Sequence, residues 1–268
     1  MQPLVLFSVF LLIAGTSRAS ETYGSGYEPP PPVPFPTAFR DYQILPRSMS
    51  PDQKYAFIYP KRSRLYELPR IRLCLVTLRP FRVLSEVPIH GRSLAANAHG
   101  YYTVNWASDA SASVFIVGAK WGPAQVWLGQ LRDEKVAKLT NLTRAVQQQV
   151  LPDYKKSHAP RYNDYYDFIF EGGDQWTVSD DGLSTLQRGW DLDSAGHVII
   201  DTVCTTDPKE IEPHRWAVRF KGTWDVASGK FAQKALIRIP PRPNRAMQPT
   251  AGRSEAYLLY DFNTSIAD

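Results

Sequence analysis

Two segments in the middle of the chain decide its fold class: ASDASASVFIV at residues 107–117 and VWLGQLRDEKVAKLT at residues 126–140. Each contains a short run of β-branched and aromatic residues, and Asp, Ser or the charged turn R-D-E-K bounds the run. Runs of this length between turn signals are typical of β-strands. We therefore expect one strand in the first segment and a strand–turn–strand unit in the second.

The same pattern recurs on both sides of these segments. Further runs rich in β-branched and aromatic residues lie at residues 55–59, 73–78, 166–170, 198–203, 216–220 and 235–239. Turn signals such as S-P-D-Q, S-D-D-G and A-S-G-K separate them. Residues 37–240 are thus expected to form a single β-rich domain.

One amphipathic segment interrupts the strands. Asn141 can cap a helix in which Leu142, Val146 and Val150 recur at every fourth position. Pro152 is expected to end that helix, because proline lacks the backbone N–H that a helix interior needs. The sequence predicts a mainly β protein with a small helical insertion.

The strands form a weak internal repeat of three units. Each unit has an Asp/Ser turn, a strand, and then a strand–turn–strand; the units span residues 50–87, 107–140 and 192–231. The pattern S-P-D-x-K-x-A-F followed by L-x-x-L-x-x-x-K-V-x-x-L-T resembles the blade units of WD-repeat-like and Tol-B-type β-propellers. Trp224 and Asp225 form a W-D pair where such a blade would end.

The resemblance implies an antiparallel meander of the propeller kind. Three units are fewer than the four blades that a closed propeller requires, so an open β-sandwich stays an alternative. The chain more widely resembles exported bacterial proteins, and that resemblance implies no particular activity.

Residues 1–19 predict export. Residues 4–14 form an uncharged, largely apolar run, which is too short for the roughly 20 residues that cross a membrane but suits a signal peptide. Ser17 and Ala19 are small residues placed for cleavage before Ser20. After cleavage we expect a Pro-rich linker at residues 20–36, no transmembrane segment, a disordered tail at residues 241–268, and a periplasmic or extracellular location.

The charge distribution bears on partners. Basic residues dominate residues 61–82 and acidic residues dominate residues 164–207, while the formal net charge is only +5. Because an exported protein rarely meets nucleic acid, we expect an envelope polymer, a glycan or a protein as the partner. The alternative is that basic and acidic strands face each other or face water.

Cys74 and Cys204 leave two alternatives open. Each lies in an apolar run, and an oxidising compartment would allow a disulfide between them. They could equally be two buried thiols that act as small apolar side chains.

The stretch RYNDYYDFIFEGGDQW at residues 161–176 is the main candidate binding site, with KWGPAQVW at residues 120–127 as a second aromatic loop. Aromatic rings interleaved with acids suit carbohydrate or cationic peptides. The candidate ligand contacts are Trp121, Trp127, Tyr162, Asp164, Tyr165 and Trp176. The alternative is an ordinary strand whose core face is formed by Tyr166, Phe168 and Phe170.

No motif in the sequence has the residues and spacing of a known catalytic, metal-binding or cofactor-binding signature. The sequence therefore favours an exported, non-enzymatic β-repeat protein that binds an envelope or extracellular ligand, with no cofactor. The alternative is an envelope hydrolase that uses the carboxylates of Asp164, Asp167 and Glu171.

Overall fold

The computed structural model describes residues 35–61, 72–89, 101–119, 122–171, 174–178, 184–209 and 214–240. Within these ranges the chain has three antiparallel sheets of four or five strands, a two-stranded ribbon and one α-helix. This confirms the mainly β class and the helical insertion, and the antiparallel sheets are consistent with the predicted meander or open β-sandwich. The predicted signal peptide, the tail at residues 241–268 and nearly all of the linker lie outside the described residues.

Sheet 1 is a meander that follows a 3-10 turn at Thr37–Phe39, and its strand order is β1-β2-β3-β4. Its strands are β1 (Tyr42–Ile44), β2 (Tyr55–Pro60), β3 (Leu73–Leu78) and β4 (Phe81–Val87). Every residue of β2 and β3 is buried. Continuous apolar runs such as L-C-L-V-T-L are therefore explained by burial on both faces of the sheet.

Sheet 2 repeats this arrangement with the order β5-β6-β7-β8. Its strands are β5 (Tyr101–Trp106), β6 (Ala112–Ala119), β7 (Gly122–Arg132) and β8 (Lys135–Asn141). The predicted strand–turn–strand of residues 126–140 is the hairpin of β7 and β8, which turns at Asp133 and Glu134 with positive φ angles of 49° and 54°.

Sheet 3 has the order β12-β13-β14-β15, and β9 pairs with β13 beside β12. Its strands are β9 (Ile169–Glu171), β12 (Trp190–Leu192), β13 (His197–Thr205), β14 (Ala217–Asp225) and β15 (Lys230–Arg238). Between β9 and β12, the strands β10 (Asp174–Val178) and β11 (Ser184–Arg188) form the separate ribbon.

The three repeated units of the sequence occupy equivalent places in the three sheets. In the orders β1-β2-β3-β4, β5-β6-β7-β8 and β12-β13-β14-β15, each unit supplies the second, third and fourth strands, except that the third unit reaches only the start of β15; β9 is an additional strand of sheet 3. Before the second strand, Asp52, Asp109 and Asp193 each accept a hydrogen bond from the backbone N–H two residues later, at 3.1, 2.9 and 2.9 Å. The Asp/Ser turns of the sequence are thus Asx turns at one recurring position.

The core consists of three clusters of buried side chains. The outer cluster covers one face of sheet 1, the middle cluster lies between sheets 1 and 2, and the helix cluster lies between sheet 2, the helix and sheet 3. Sheet 2 contributes side chains to two clusters, because successive residues of a strand point to opposite faces. Phe115 and Val117 belong to the middle cluster, and Val114 and Ile116 belong to the helix cluster. Phe57 of sheet 1 meets Phe115 with ring centroids 4.9 Å apart. Sheet 2 is therefore the central layer.

The helix, α1 (Leu142–Ser157), begins as predicted, since Asn141 Oδ1 accepts a hydrogen bond of 2.8 Å from the Arg144 N–H. Its end was predicted wrongly, because Pro152 lies inside the helix. A proline in a helix interior costs about 3 kcal/mol. Burial of Tyr154 in the helix cluster and hydrogen bonds to Asp153 offset that cost, so the helix continues to Ser157.

Candidate functional site

The segment between α1 and β9 contains a small closed loop, which we call the tyrosine loop (residues 162–167). The backbone N–H of Tyr162 donates to the Asp167 carbonyl at 2.9 Å, and that of Asn163 donates to the Tyr166 carbonyl at 3.2 Å. Asn163 Oδ1 also accepts the N–H groups of Tyr165 and Tyr166 at 2.9 and 2.8 Å. These four bonds make a tight turn with Asp164 and Tyr165 at its tip.

An ion pair closes the base of the tyrosine loop. Arg161 Nε lies 2.9 Å from Asp167 Oδ1, and both side chains are partly exposed. Tyr154 of α1 is influenced by this pair: burial raises the pKa of its phenol, the Asp167 charge raises it further, and the Arg161 charge lowers it. The ion pair thus sits close to the C-terminal end of the helix.

Next to the loop lies a group of rings in edge-to-face or tilted contact, the aromatic anchor (Tyr154, Phe168, Phe170, Trp190 and Trp216). Phe168 is at its centre, with ring centroids 5.6 Å from Tyr154, 5.1 Å from Trp216 and 6.0 Å from Phe170. Edge-to-face pairs of this kind add about 0.5–1.5 kcal/mol beyond the burial of their area. Phe168 directly follows the loop, so the anchor fixes one end of the loop to the core.

Asp153 ties the helix to sheet 3 next to the anchor. Its Oδ2 accepts the Trp216 indole N–H at 2.9 Å, and its Oδ1 accepts Nη2 of Arg238 at 2.9 Å. Burial alone would raise the pKa of Asp153, but these two hydrogen bonds, together with the positive charges of Arg238 and Lys156, outweigh it and hold the pKa below the ordinary value of 3.8. Asp153 therefore links the helix to sheet 3 beside the aromatic anchor.

The tyrosine loop presents its side chains to solvent. Tyr165 is 85% exposed and Tyr166 is 61% exposed, the two highest values among the large apolar side chains of the described residues. Asp164 is exposed at the tip and has no hydrogen bond or ion pair with any residue that the structure describes. Two rings and one carboxylate are thus available to a partner.

The structure brings together three of the candidate ligand contacts. Tyr162, Asp164 and Tyr165 all belong to the tyrosine loop. Trp176 lies in β10, which pairs only with β11 among the described strands. Trp121 lies outside the described residues.

Trp127 requires a correction, because it is a core residue. It is 9% exposed and belongs to the middle cluster, and its indole N–H donates to Gln125 Oε1 at 3.2 Å. Its neighbours Val126 and Leu128 point to the opposite face of sheet 2, into the helix cluster that contains Phe168. Alternation along β7 therefore turns Trp127 away from the tyrosine loop.

Tyr166 is the residue that sequence reasoning missed. The alternative interpretation of residues 166–170 as a strand placed Tyr166 in the core, but β9 begins only at Ile169 and Tyr166 is exposed. Phe168, by contrast, is buried as that interpretation expected. Asn163 is the residue that indicates the exposure of Tyr166 in the sequence. Its side chain favours an Asx turn, and such a turn argues against a strand that begins at Tyr166.

The three carboxylates of the hydrolase alternative have different surroundings. Asp164 is exposed at the loop tip, whereas Asp167 holds Arg161. Glu171 lies on β9, opposite Val203 of β13, and its backbone carbonyl accepts the Thr202 hydroxyl at 3.3 Å. The Asp167 carboxylate is thus already used to hold the loop in shape.

Both cysteines are buried thiols in the structure. Cys74 belongs to the outer cluster and Cys204 to the helix cluster, so sheet 2 and the middle cluster separate their locations. Burial raises the pKa of the Cys204 thiol far above its ordinary value. The sequence left open a disulfide or two buried thiols, and the structure has two buried thiols.

Among the described residues there is no group of three or more His, Cys, Asp or Glu side chains that could hold a metal ion. The same part of the chain has no helix with the length and apolar character needed to span a membrane. No model of a known protein family matches the chain, and neither does any curated protein.

Proposed function

We propose that the chain is an exported, non-enzymatic β-repeat protein that binds an envelope or extracellular ligand through the tyrosine loop. The observation that carries this proposal is the exposure of Tyr165 and Tyr166 on a loop that is closed by its own hydrogen bonds. A loop that is already ordered loses little conformational entropy on binding. Export is proposed from the signal-like residues 1–19.

The chemistry of the loop suits a glycan or a protein surface. Tyrosine offers a large, stiff ring with one polar group, so it gives apolar contact area and a hydrogen bond at a small entropic cost. The exposed carboxylate of Asp164 can accept hydrogen bonds from hydroxyl or amino groups. The tyrosine loop would therefore bind its partner by surface contact, and no chemical step is needed.

The proposal includes a propeller-like relation between the three sheets. It is supported by the equivalent places of the three repeated units and by the recurring Asx turns at Asp52, Asp109 and Asp193. In repeat architectures, insertions between units commonly carry the binding site. The segment with α1 and the tyrosine loop is such an insertion, between the second and third units.

A thermal-shift screen of the purified full chain tests the binding proposal. Soluble glycans, anionic envelope polymers and Lys-rich peptides would be compared at matched ionic strength. A ligand present at 100 times its dissociation constant raises the unfolding temperature by roughly 5–10 °C for a domain of this size. One class of ligand should give such a shift.

Loop variants then locate the site. Replacing both exposed rings, Tyr165→Ser with Tyr166→Ser, should abolish the shift without lowering the unfolding temperature of the unliganded chain, because neither ring is buried. Ile199→Ser, which removes another exposed apolar side chain (42%), is the matched control and should retain it. A shift that survives the double substitution would place the ligand elsewhere and overturn the proposed site.

The hydrolase alternative makes a different prediction. Asp164→Asn and Asp167→Asn together would abolish turnover of a hydrolysable polymer, whereas a binding protein shows no turnover in any variant. Product release from an envelope polymer by the unmodified chain, lost in the double variant, would therefore contradict the non-enzymatic proposal.

A further inference from the structure

The last strand of sheet 3, β15, has one edge that is unpaired within the described part of the chain. It pairs with β14 on one side, and no strand among the described residues pairs with its other side. The Ile239 N–H donates to the Ala217 carbonyl at 3.0 Å, which fixes the alternation of the ladder. Because paired and unpaired positions alternate in an antiparallel ladder, Lys234, Leu236 and Arg238 direct their backbone N–H and C=O groups toward this unpaired edge.

Two of the three basic side chains of β15, Lys234 and Arg238, contact the helix α1. Charged side chains on edge strands usually discourage the addition of another strand. Here Lys234 Nζ donates to Gln149 Oε1 at 2.5 Å, and Arg238 is held by Asp153, so both side chains lie against α1. Leu236 and Ile237 remain 45% and 48% exposed on opposite faces of the strand. A strand added to β15 would cover apolar surface on both faces.

The positive charge of the β14–β15 hairpin indicates which kind of segment could pair with β15. The β14–β15 hairpin, residues 217–238, contains five basic residues and one acidic residue. Asp201 already pairs with Arg219 and Lys221, and Asp153 pairs with Arg238. Lys230 and Lys234 therefore carry the positive charge that has no acidic partner among the described residues. β15 itself has Lys230, Lys234 and Arg238 and no acid, so a second copy of this strand would bring like charges together. We propose that β15 binds an extended acidic peptide segment of a protein partner by strand addition, at a site separate from the tyrosine loop.

Peptide binding to the full chain tests this inference. The probe is a fluorescent nine-residue peptide of alternating Glu and Val, and the matched control replaces every Glu with Lys. Fluorescence anisotropy should show the Lys peptide to bind at least about tenfold more weakly than the Glu peptide. Equal affinities, or no binding of the Glu peptide, would overturn the proposal.

Backbone methylation of the probe separates strand addition from simple charge attraction. Two versions of the Glu–Val peptide carry N-methyl groups on alternate residues, one version on each set. In an antiparallel or parallel ladder only one set faces β15, so one version should lose binding and the other should retain it. Similar binding of the two versions would mean that no ladder forms, and the inference would fail.

A substitution on the chain gives the complementary test. Leu236→Pro removes an N–H from the unpaired edge but leaves the bonds to β14, whereas Leu236→Ala keeps the N–H. The Pro variant should bind the Glu–Val peptide at least about tenfold more weakly than the Ala variant, provided that both show the circular dichroism of the unmodified chain. If the Pro variant does not fold, the methylated peptides alone decide.

Two further outcomes would overturn the proposal. Self-association of the unmodified chain that Leu236→Pro abolishes, without peptide binding, would make a second copy the occupant. Loss of Glu–Val peptide binding in the Tyr165→Ser, Tyr166→Ser variant would mean that the tyrosine loop, and not β15, binds acidic peptides. Retained binding in that variant is expected, so the two sites can fail independently.

Discussion

Trp216 donates its indole N–H to the carboxylate of Asp153, at 2.9 Å and across 63 residues of sequence. The bond joins α1 to sheet 3 at the place where the aromatic anchor supports the tyrosine loop. Trp216 is buried, so its indole N–H depends on Asp153 for a hydrogen-bond partner. This hydrogen bond therefore contributes to the stability of the aromatic anchor next to the candidate site.

Asp153→Ala should lower the free energy of unfolding by about 2–3 kcal/mol, since it leaves a buried donor without its charged acceptor. Urea denaturation followed by tryptophan fluorescence would measure the change. Arg238→Ala is the control: its side chain is 71% exposed, so its loss should cost less than about 1 kcal/mol. Equal losses in the two variants would show that the Trp216 bond is not the important one.

Acid should destabilise the fold through Asp153 and Asp201. The Arg219 guanidinium donates Nε and Nη2 to Asp201 at 2.6 and 2.8 Å and lowers the pKa of that carboxyl; the pKa of Asp153 is also below 3.8. A carboxyl with a lowered folded-state pKa binds its proton more readily in the unfolded chain. Its stabilisation is therefore complete above the ordinary pKa and is lost as the pH falls through the folded-state value.

The free energy of unfolding should accordingly fall between about pH 5 and pH 2, and the fall should be smaller in a chain carrying Asp153→Asn and Asp201→Asn. Urea denaturation at several pH values would give the slopes. Gln233→Asn, an exposed change on β15 that alters no carboxyl, should leave the slope as it is. An undiminished slope in the double variant would contradict this assignment.

Asn163→Ala should loosen the tyrosine loop with little effect on the rest of the fold. It removes the acceptor of two backbone N–H groups in an exposed turn, which costs about 1 kcal/mol or less globally. Hydrogen exchange should speed up at the amides of Tyr165 and Tyr166, while Asn163→Asp, which keeps the acceptor oxygen, should protect them. Unchanged exchange in the Ala variant would mean that the side chain does not order the loop.

Neither cysteine should react under native conditions at neutral pH. Both thiols are buried, which keeps the reagent away from them. Burial also raises the pKa of Cys204, so the reactive thiolate of that residue is scarce. Maleimide labelling followed by mass spectrometry should add no label to the native chain and two labels in denaturant without reductant. No labelling in denaturant, and two labels after reduction, would reveal a disulfide instead.

Much of the β structure could be predicted from sequence, because strands depend on local residue type. The run at residues 73–78 has the bounds of β3 as observed (Leu73–Leu78), and residues 198–203 lie inside β13. The helix start was predictable for the same reason, since the Asn141 cap and its hydrogen bond lie within three residues. Shorter strands without a β-branched run, such as β12, gave no such signal.

The errors concern residues whose state depends on distant contacts. Pro152 stays in the helix because residues beyond it, Asp153 and Tyr154, contact Trp216 on another element. Trp127 is buried because sheet 1 covers its face of sheet 2. In both cases the contacting residues are far away in the sequence, so the residues next to Pro152 or Trp127 do not indicate the contact.

The sequence by itself determined the class of the protein, the positions of its main strands and the aromatic composition of residues 161–170, since these follow from residue type and spacing. Only the tertiary structure decided which aromatic rings are buried: it placed Phe168 in the core and left Tyr165 and Tyr166 in solvent. The physical reason is that burial depends on the side chains that meet a ring from other elements, here Tyr154 of α1 and Trp216 beside β14.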